Sequence, residues 1–378
     1  MKKGKLKHIL LKLVLPIVIG GVFGVAIAMS TVSLFEDDIT VLFVMLAAMY
    51  GFMFIHIVLH EAGHMVAGLC TGYHVASFRI GSFILVKREG KWCVKRYNIP
   101  GTMGQCLMDP PEMKEGRIPF VFYNLGGVLV NLVLGAISIL LLWFVPQMNN
   151  YWKSINFMNI VMAVLVLVQN GIPMKIGGVP NDAYNIKMLH KEDAVQKVFY
   201  LQLKTYALLV QGQKWSELPF EWFDIPLSEE NSFYTSLKLM EYNWYLDAHQ
   251  FDEARNVLEE LKKAEATTPK LYQHILNGER MFLELLGENR QEVIESIVTP
   301  EFESFLKQGK YMVSVQRAKY AYERLYKKDR ESARKIYPHL KKLIAENPAI
   351  GELELEAGLL ELIESKAKED GDSLERPE

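Results

Sequence analysis

Charged side chains are rare in the first half of this 378-residue chain. Residues 1–190 carry 16 basic and 9 acidic side chains, a formal charge of +7, whereas residues 191–378 carry 26 and 35, a formal charge of −9. Long uncharged runs exclude one continuous water-soluble globule and indicate that the first half lies in a lipid bilayer. The acidic second half argues against nucleic acid as a partner.

Cysteine is also scarce. Cys70, Cys93 and Cys106 form neither a CxxC pair nor an even set, which excludes a disulfide framework and a zinc ribbon as the basis of the fold. We expect reduced cysteines that pack in the protein.

Four uncharged runs are each long enough to cross the hydrocarbon core, which takes about 20 helical residues. They are Leu13–Phe35, Ile39–Leu59, Ile118–Pro146 and Ser154–Met174. The basic start of the chain also fits a signal peptide, but the first run is longer than the apolar core of about 7–15 residues that such peptides have. We therefore expect a helix bundle of about four spans, with the first one retained.

Basic residues set the predicted orientation in the membrane. Five lysines precede the first run, and eight basic residues lie in the segment 71–117 between the second and third runs. Of the other two connecting segments, one carries three acidic residues, 36–38, and the other only Lys153. Because basic residues favour the cytoplasmic side, we expect both termini and the 71–117 segment to be cytoplasmic. This pattern suits a bacterial plasma membrane.

The cytoplasmic segment contains a predicted β-hairpin region at about 73–100. Phe78–Val86 and Lys91–Tyr97 are rich in strand-forming residues, and the charged stretch 87–90 ends in a glycine that suits a turn. Proline and glycine between 100 and 111 then predict irregular structure before the third span.

The cytoplasmic end of the second run contains an HExxH motif, His60 to His64. Residues four apart lie on one face of a helix, so both imidazoles can bind one metal ion. Glu61 is then placed to take a proton from water at that metal. Ionisable side chains at membrane depth are costly and usually functional, which favours a zinc site over two histidines at a wetted helix end.

A catalytic zinc ion needs a third protein ligand, and Asp182 is the candidate. It is the only carboxylate between Glu115 and Glu192, and it follows the fourth run, which ends on the same side of the membrane as the second. Its alternative role is to stabilise a helix N-terminus through the helix dipole, but the context favours a ligand. His56, one turn before His60, is expected to pack or to support a ligand rather than to bind the metal.

Two asparagines are candidates for substrate binding. Asn131 lies in the third run and Asn170 at the end of the fourth. Either side chain could hydrogen-bond an extended substrate backbone, or it could be a polar contact between spans. For Asn131 the sequence leaves both roles open.

In this order, the motifs resemble the site-2 protease family of intramembrane zinc metalloproteases. The resemblance covers about residues 39–190 and rests on His60–His64, Gly126-Gly127-x-x-x-Asn131 and Asn170-x-x-Pro173 leading to Asp182. It implies that His60, His64 and Asp182 hold Zn²⁺ and that Glu61 is the catalytic base. It also implies that the hairpin region lies against the membrane and helps to guide the substrate.

Two positions depart from the family pattern. Ala183 follows Asp182 where a glycine is usual, and Val128 follows Gly127 where a proline is usual. These departures bear on the subfamily to which the chain belongs and on the exact geometry of the zinc site, more than on the class of enzyme.

The second half is predicted to be a cytoplasmic α-helical domain, residues 191–365, followed by a disordered tail, 366–378. A helix, a polar turn and a second helix over Tyr242–Leu261 resemble a tetratricopeptide-like repeat. The turn recurs loosely at 286–289 and 326–329, a period of 39–40 residues, which is longer than the usual period of about 34. Such a stack could bind a protein partner, or it could be a solvated domain without one.

The sequence therefore predicts a mainly α membrane protein with a zinc metalloprotease domain, residues 1–190, and a helical cytoplasmic attachment. We expect it to hydrolyse peptide bonds in membrane-anchored proteins or peptides. A catalytically silent membrane scaffold is the alternative, and the retention of all four site residues opposes it. A membrane metal transporter is a third hypothesis, but it predicts ionisable groups along a path rather than a cluster at one end.

Overall fold

The computed structural model describes residues 39–88, 90–99, 102–176, 179–229, 231, 233–263 and 270–369. Within these residues the fold is mostly helical, with 13 α-helices, one four-stranded antiparallel sheet and one two-stranded sheet. The mainly α fold expected from the sequence is confirmed.

Three helices are long and apolar enough to cross a membrane: α1 (Ile39–Cys70), α2 (Phe120–Phe144) and α3 (Asn150–Gly171). They coincide with three of the four runs predicted as spans, and the remaining run, Leu13–Phe35, lies outside the described residues. Helix α1 continues past Leu59, so that the HExxH motif lies inside the helix. Many apolar side chains on these helices are exposed, including Leu132 and Leu140, as expected of a surface that meets lipid.

Glycines allow helices α1 and α2 to pack closely beside the HExxH motif. A Cβ atom added at Gly63 would lie 2.4 Å from the carbonyl oxygen of Gly126. One added at Gly127 would lie 2.5–2.7 Å from ring atoms of His60. Small residues permit such contacts between helix backbones in a membrane, and here they bring α2 against the ring of a predicted ligand.

A four-stranded antiparallel sheet follows α1, in the order β3-β2-β1-β4. Its strands are β1 (His74–Ile80), β2 (Phe83–Arg88), β3 (Lys91–Arg96) and β4 (Gly104–Asp109). The predicted hairpin across 87–90 is confirmed, since β2 and β3 pair from Phe83 opposite Arg96 to Arg88 opposite Lys91.

Two sequence expectations about this sheet were wrong. Phe78–Val86 is not one strand, because the chain turns between β1 and β2 at Gly81, which has a φ of +57°. The residues before the third span are not all irregular, because β4 pairs with β1 along its length. Strand β4 contains no proline, since Pro100 and Pro110 lie outside it.

One face of the sheet is buried against helix α5 (Asp193–Gln211). Along β2, Ile84 and Val86 are buried whereas Phe83 and Leu85 are exposed, the alternation expected of a strand with one covered face. The hydroxyl of Tyr206 on α5 lies 3.0 Å from Oγ of Ser77 on β1.

The second half consists of helices, as predicted. After α4 (Asp182–Lys191) and α5 they are α6 (Tyr234–Asp247), α7 (Phe251–Lys263), α8 (Lys270–Leu286), α9 (Gln291–Ile297), α10 (Pro300–Gln308), α11 (Val313–Ala321), α12 (Arg330–Glu346) and α13 (Ile350–Glu369). Helix α13 includes residues 366–369, so these four are helical rather than disordered, and 370–378 lie outside the described residues.

The predicted turns lie between helices, and each contains a residue with a positive φ. His249 lies between α6 and α7, Asn289 between α8 and α9, and Lys328 before α12, with φ angles of 55°, 55° and 53°. The left-handed conformation is typical of a residue that ends a helix and reverses the chain. The tetratricopeptide-like repeat itself stays a prediction, as do the domain bounds at 190 and 365.

The described residues form two compact units. One contains α1 as far as His64, Asn124–Ile176 and Pro180–Tyr184. The other contains Met65–Tyr123 and the chain from Asn185 onward, so that the sheet and most of the helical half belong together. All the candidate site residues lie in the first unit.

Candidate metal centre

His60 and His64 lie one turn apart on α1, and both are buried. Their Nε2 atoms are 3.1 Å apart, and their rings meet edge to face at 4.7 Å between centroids. The helix therefore presents two imidazole nitrogens at one point, as the i, i+4 spacing predicted.

Asp182 reaches the same point because Asn181 joins the end of α3 to the start of α4. The Asn181 Nδ2 group donates to the carbonyls of Gln169 and Ile172 on one side, at 2.5 and 2.7 Å. Its Oδ1 atom accepts from the amides of Met174 and Tyr184, at 3.2 and 2.9 Å. Asn181 thus acts as an N-cap of α4 and fixes the position of the residue that follows it.

The three side chains converge as the ligands of a tetrahedral metal ion do. The Oδ2 atom of Asp182 lies 3.2 Å from Nε2 of His60 and 3.4 Å from Nε2 of His64. Zinc bonds of about 2.0–2.1 Å in tetrahedral geometry place ligand atoms about 3.3 Å apart, which matches all three separations. The Asp182 Oδ2 atom is also buried without a well-aligned hydrogen-bond donor. The residues present therefore fit a zinc ion.

The electrostatics of the cluster keep Asp182 ionised. Burial by itself raises the pKa of this carboxyl, but the neighbouring His60 and His64 imidazoles favour its charged form and lower the pKa to about 2. An ionised carboxylate is the form that binds metal.

Of the other predicted residues, Asn131 lies against the cluster. Its Nδ2 atom is 2.8 Å from Nδ1 of His60 and 2.9 Å from the carbonyl oxygen of Gly127. Glu61 follows His60 on α1 and is partly buried. The Asn170 side chain donates within its own helix, to the carbonyl of Val166 at 3.3 Å.

Sequence reasoning missed the part played by the asparagines around the cluster. Neither Asn181 nor Asn159 was singled out in the sequence. The Asn159 side chain, on α3, is 2.9 Å from Nε2 of the buried His56. A polar residue inside an apolar span was the available signal for Asn159. No local pattern marks its contact with a residue 103 positions away.

A bundle of apolar helices that holds this His-His-Asp cluster is the arrangement expected of one class of protein, the membrane-embedded metallopeptidases. Comparison with family models agrees, since the model of peptidase family M50 matches residues 48–367. The chain belongs to this family, the site-2 protease family. The match continues through the helical half, well beyond the part that carries the sequence resemblance. Neither the curated proteins nor the solved structures gave a match.

Proposed function

We propose that this chain is a zinc-dependent intramembrane endopeptidase that cleaves membrane-anchored proteins or peptides. The observation that carries the proposal is the triangle of His60, His64 and Asp182, whose ligand atoms have the separations of a tetrahedral zinc site. Membership of the M50 family supports peptide hydrolysis as the reaction. The complete ligand set, together with Glu61, opposes a catalytically silent scaffold.

In this proposal, His60, His64 and Asp182 hold the metal, which when bound lowers the pKa of water and polarises the scissile carbonyl. Glu61 takes the proton from the attacking water and passes it to the leaving amine. Since Glu61 is adjacent to His60 on a rigid helix, its backbone position is fixed relative to the ligands. A helical substrate must unwind locally before attack, because its carbonyls are otherwise engaged in the helix.

We assign Asn131 to support of the metal ligand rather than to the substrate. Its Nδ2 group contacts His60 and Gly127, and its Oδ1 atom lies 2.6 Å from Nδ1 of His56. Both ends of the amide are therefore engaged within the protein. Asn170 is the better candidate for contact with a substrate backbone, because among the described residues its side chain bonds only to a carbonyl one turn back in its own helix, through Nδ2, and this bond does not tie it to another helix.

The β2–β3 hairpin is the proposed substrate guide. Phe83 and Leu85 on β2 and Trp92 and Val94 on β3 are exposed, and an apolar surface of this kind suits a membrane-anchored substrate or the lipid surface. We propose that this hairpin, the helical half and both termini are cytoplasmic, in a bacterial plasma membrane. The helical half would then regulate access or recruit a protein partner.

Substitution of Asp182 tests the metal site. In the full-length protein purified in detergent, Asp182→Ala should lose most of its zinc, because the third ligand is gone. The matched control is Asp193→Ala at the start of α5, an exposed carboxylate whose loss should leave zinc content unchanged. Full zinc retention by Asp182→Ala would remove this residue from the site.

A further inference from the structure

A chain of buried polar side chains joins the three membrane helices beside the metal site. His56 on α1 is fully buried. Its Nδ1 atom lies 2.6 Å from Oδ1 of Asn131 on α2, and its Nε2 atom lies 2.9 Å from Oδ1 of Asn159 on α3. Both asparagines are at most 5% exposed, so water does not replace these contacts. A polar chain in an apolar bundle is costly unless every member is paired.

The outer end of the chain is anchored. The Asn159 Nδ2 group donates to the backbone carbonyl of Leu134 at 2.9 Å and to Oγ of Ser138 at 2.8 Å. Since both hydrogens of this amide are used on α2, its oxygen must face His56. The ring of His56 is therefore held between two asparagines that belong to different helices.

The inner end of the chain reaches the metal ligand. Asn131 contacts Nδ1 of His60, the nitrogen on the side of the ring away from Asp182. A histidine that binds metal through Nε2 carries its proton on Nδ1 and donates it to an acceptor, and that acceptor sets the ring orientation. With metal bound, the Asn131 amide therefore turns its Oδ1 atom to Nδ1 of His60 and its Nδ2 group to the unprotonated Nδ1 of His56, and the Nε2–H of His56 donates to Oδ1 of Asn159. The backbone of Gly127 lies against the same ring, so the ring is confined by α2 on one face and by Asn131 at its edge.

We infer that His56 is a positioning residue for the metal site. Held by Asn159, it fixes the side chain of Asn131, and Asn131 fixes the ring of His60. The inference rests on the proposed function, because the ring orientation matters for binding zinc. It differs from the simpler role of a polar contact between helices, which predicts a loss of stability without a specific loss of metal affinity.

Two similar substitutions separate these roles. In His56→Asn the amide replaces the Nδ1 side of the ring and can still contact Asn131. In His56→Gln the amide reaches toward the Nε2 side and contacts Asn159 instead. We expect His56→Gln to bind Zn²⁺ about 10–100-fold more weakly than the wild type, the usual effect of losing support for a ligand. His56→Asn should retain most of the affinity.

The experiment uses the full chain in detergent. Competition with a chromophoric chelator gives the Zn²⁺ affinity, and the absorption bands of the Co²⁺-loaded protein report the ligand geometry. The control is Asn156→Leu, also buried on α3, whose side chain donates to the carbonyl of Trp152 and to the sulfur of Met148. This variant should match the wild type in both measurements. Asn159→Leu, which removes the anchor of His56, should weaken zinc binding in the same direction as His56→Gln.

Equal affinities and equal Co²⁺ spectra for His56→Asn, His56→Gln and the wild type would overturn the inference. An equal loss of Zn²⁺ affinity in both His56 variants and in Asn156→Leu would also overturn it, because that result indicates a general effect on packing. A wild-type chain that binds no zinc would overturn the proposed function and this inference with it. Zinc binding that depends on Asp182 but not on His56 would overturn the inference alone.

Discussion

Asn181 shows how a residue outside the ligand triangle determines where a ligand lies. Its side chain makes four hydrogen bonds, three to the end of α3 and the residues just after it and one to the first turn of α4. Asp182 is the next residue, so its carboxylate follows the backbone that Asn181 fixes. At the residue scale, the site therefore depends on two asparagines, Asn131 and Asn181, that position a histidine and an aspartate.

Replacement of Asn181 should affect metal binding as well as stability. Asn181→Ala removes the N-cap of α4, which costs about 0.5–2 kcal/mol, and releases Asp182 from its fixed position. We expect zinc affinity to fall by about tenfold or more, by chelator competition. Asn149→Ala removes another N-cap, on α3, where Asn149 accepts from the amide of Trp152. That control should lose similar stability and keep its zinc affinity, and equal zinc affinities in the two variants would contradict the role of Asn181.

At the element scale, the site depends on how closely α1 and α2 approach. A methyl group added at either of two glycines would be too close to its neighbours. At Gly63 it would meet the backbone of α2, and at Gly127 it would meet the ring of His60. A change in the distance between these helices moves the ring relative to Asp182. The packing of α1 against α2 therefore determines the geometry of the metal ligands.

Gly127→Ala should damage the metal site. The new methyl group would lie within 3 Å of three atoms of the His60 ring, so the ring or the helix must shift. We expect a loss of zinc affinity of about tenfold or more, measured on the purified full-length protein. The control is Gly51→Ala on α1, where no atom lies within 4 Å of the added Cβ. This control should bind zinc normally, and a Gly127→Ala protein that does the same would show that the packing is not tight.

At the scale of the whole molecule, the sheet is fastened to the helical half by basic side chains. Arg88 donates to the carbonyl of Pro348 at 2.5 Å, and Lys95 donates to that of Asn347 at 3.1 Å, beyond the end of α12. Lys95 also donates to the carbonyl of Ala345 at 3.2 Å, in the last turn of α12. Cations near a helix C-terminus stabilise its unpaired carbonyls. The helical half thus holds the hairpin that we propose as the substrate guide.

Removal of both basic side chains should loosen this attachment. In the double variant Arg88→Ala, Lys95→Ala we expect amide hydrogen exchange in the β2–β3 hairpin and the last turn of α12 to accelerate about tenfold, as for a loss of about 1.4 kcal/mol. The control is Lys91→Ala, an exposed basic residue on the same hairpin. Exchange that changes equally in both proteins would show that the contacts to α12 do not hold the hairpin.

The sequence was most informative where one physical constraint dominates. Absence of charge marked three runs that the structure shows as helices long and apolar enough to cross a membrane, and the i, i+4 spacing of His60 and His64 placed both rings at one point. The sequence was least informative where segments far apart in the chain contact each other. Gly81 turns the chain inside a run of strand-forming residues, and β4 forms only because β1 offers it a partner. The contact between His56 and Asn159 likewise depends on how two helices pack, which no local pattern records.

The most direct test of the account is Glu61→Gln in the full-length chain, with cleavage and zinc content measured on the same preparation of cells. Cleavage is scored without a known substrate, by mass spectrometry of new peptide termini in the membrane and soluble fractions. Because Glu61 is proposed as the base and not as a ligand, the variant should release none of the wild-type fragments and still hold about one zinc ion per chain. Unchanged cleavage by Glu61→Gln would contradict the central claim.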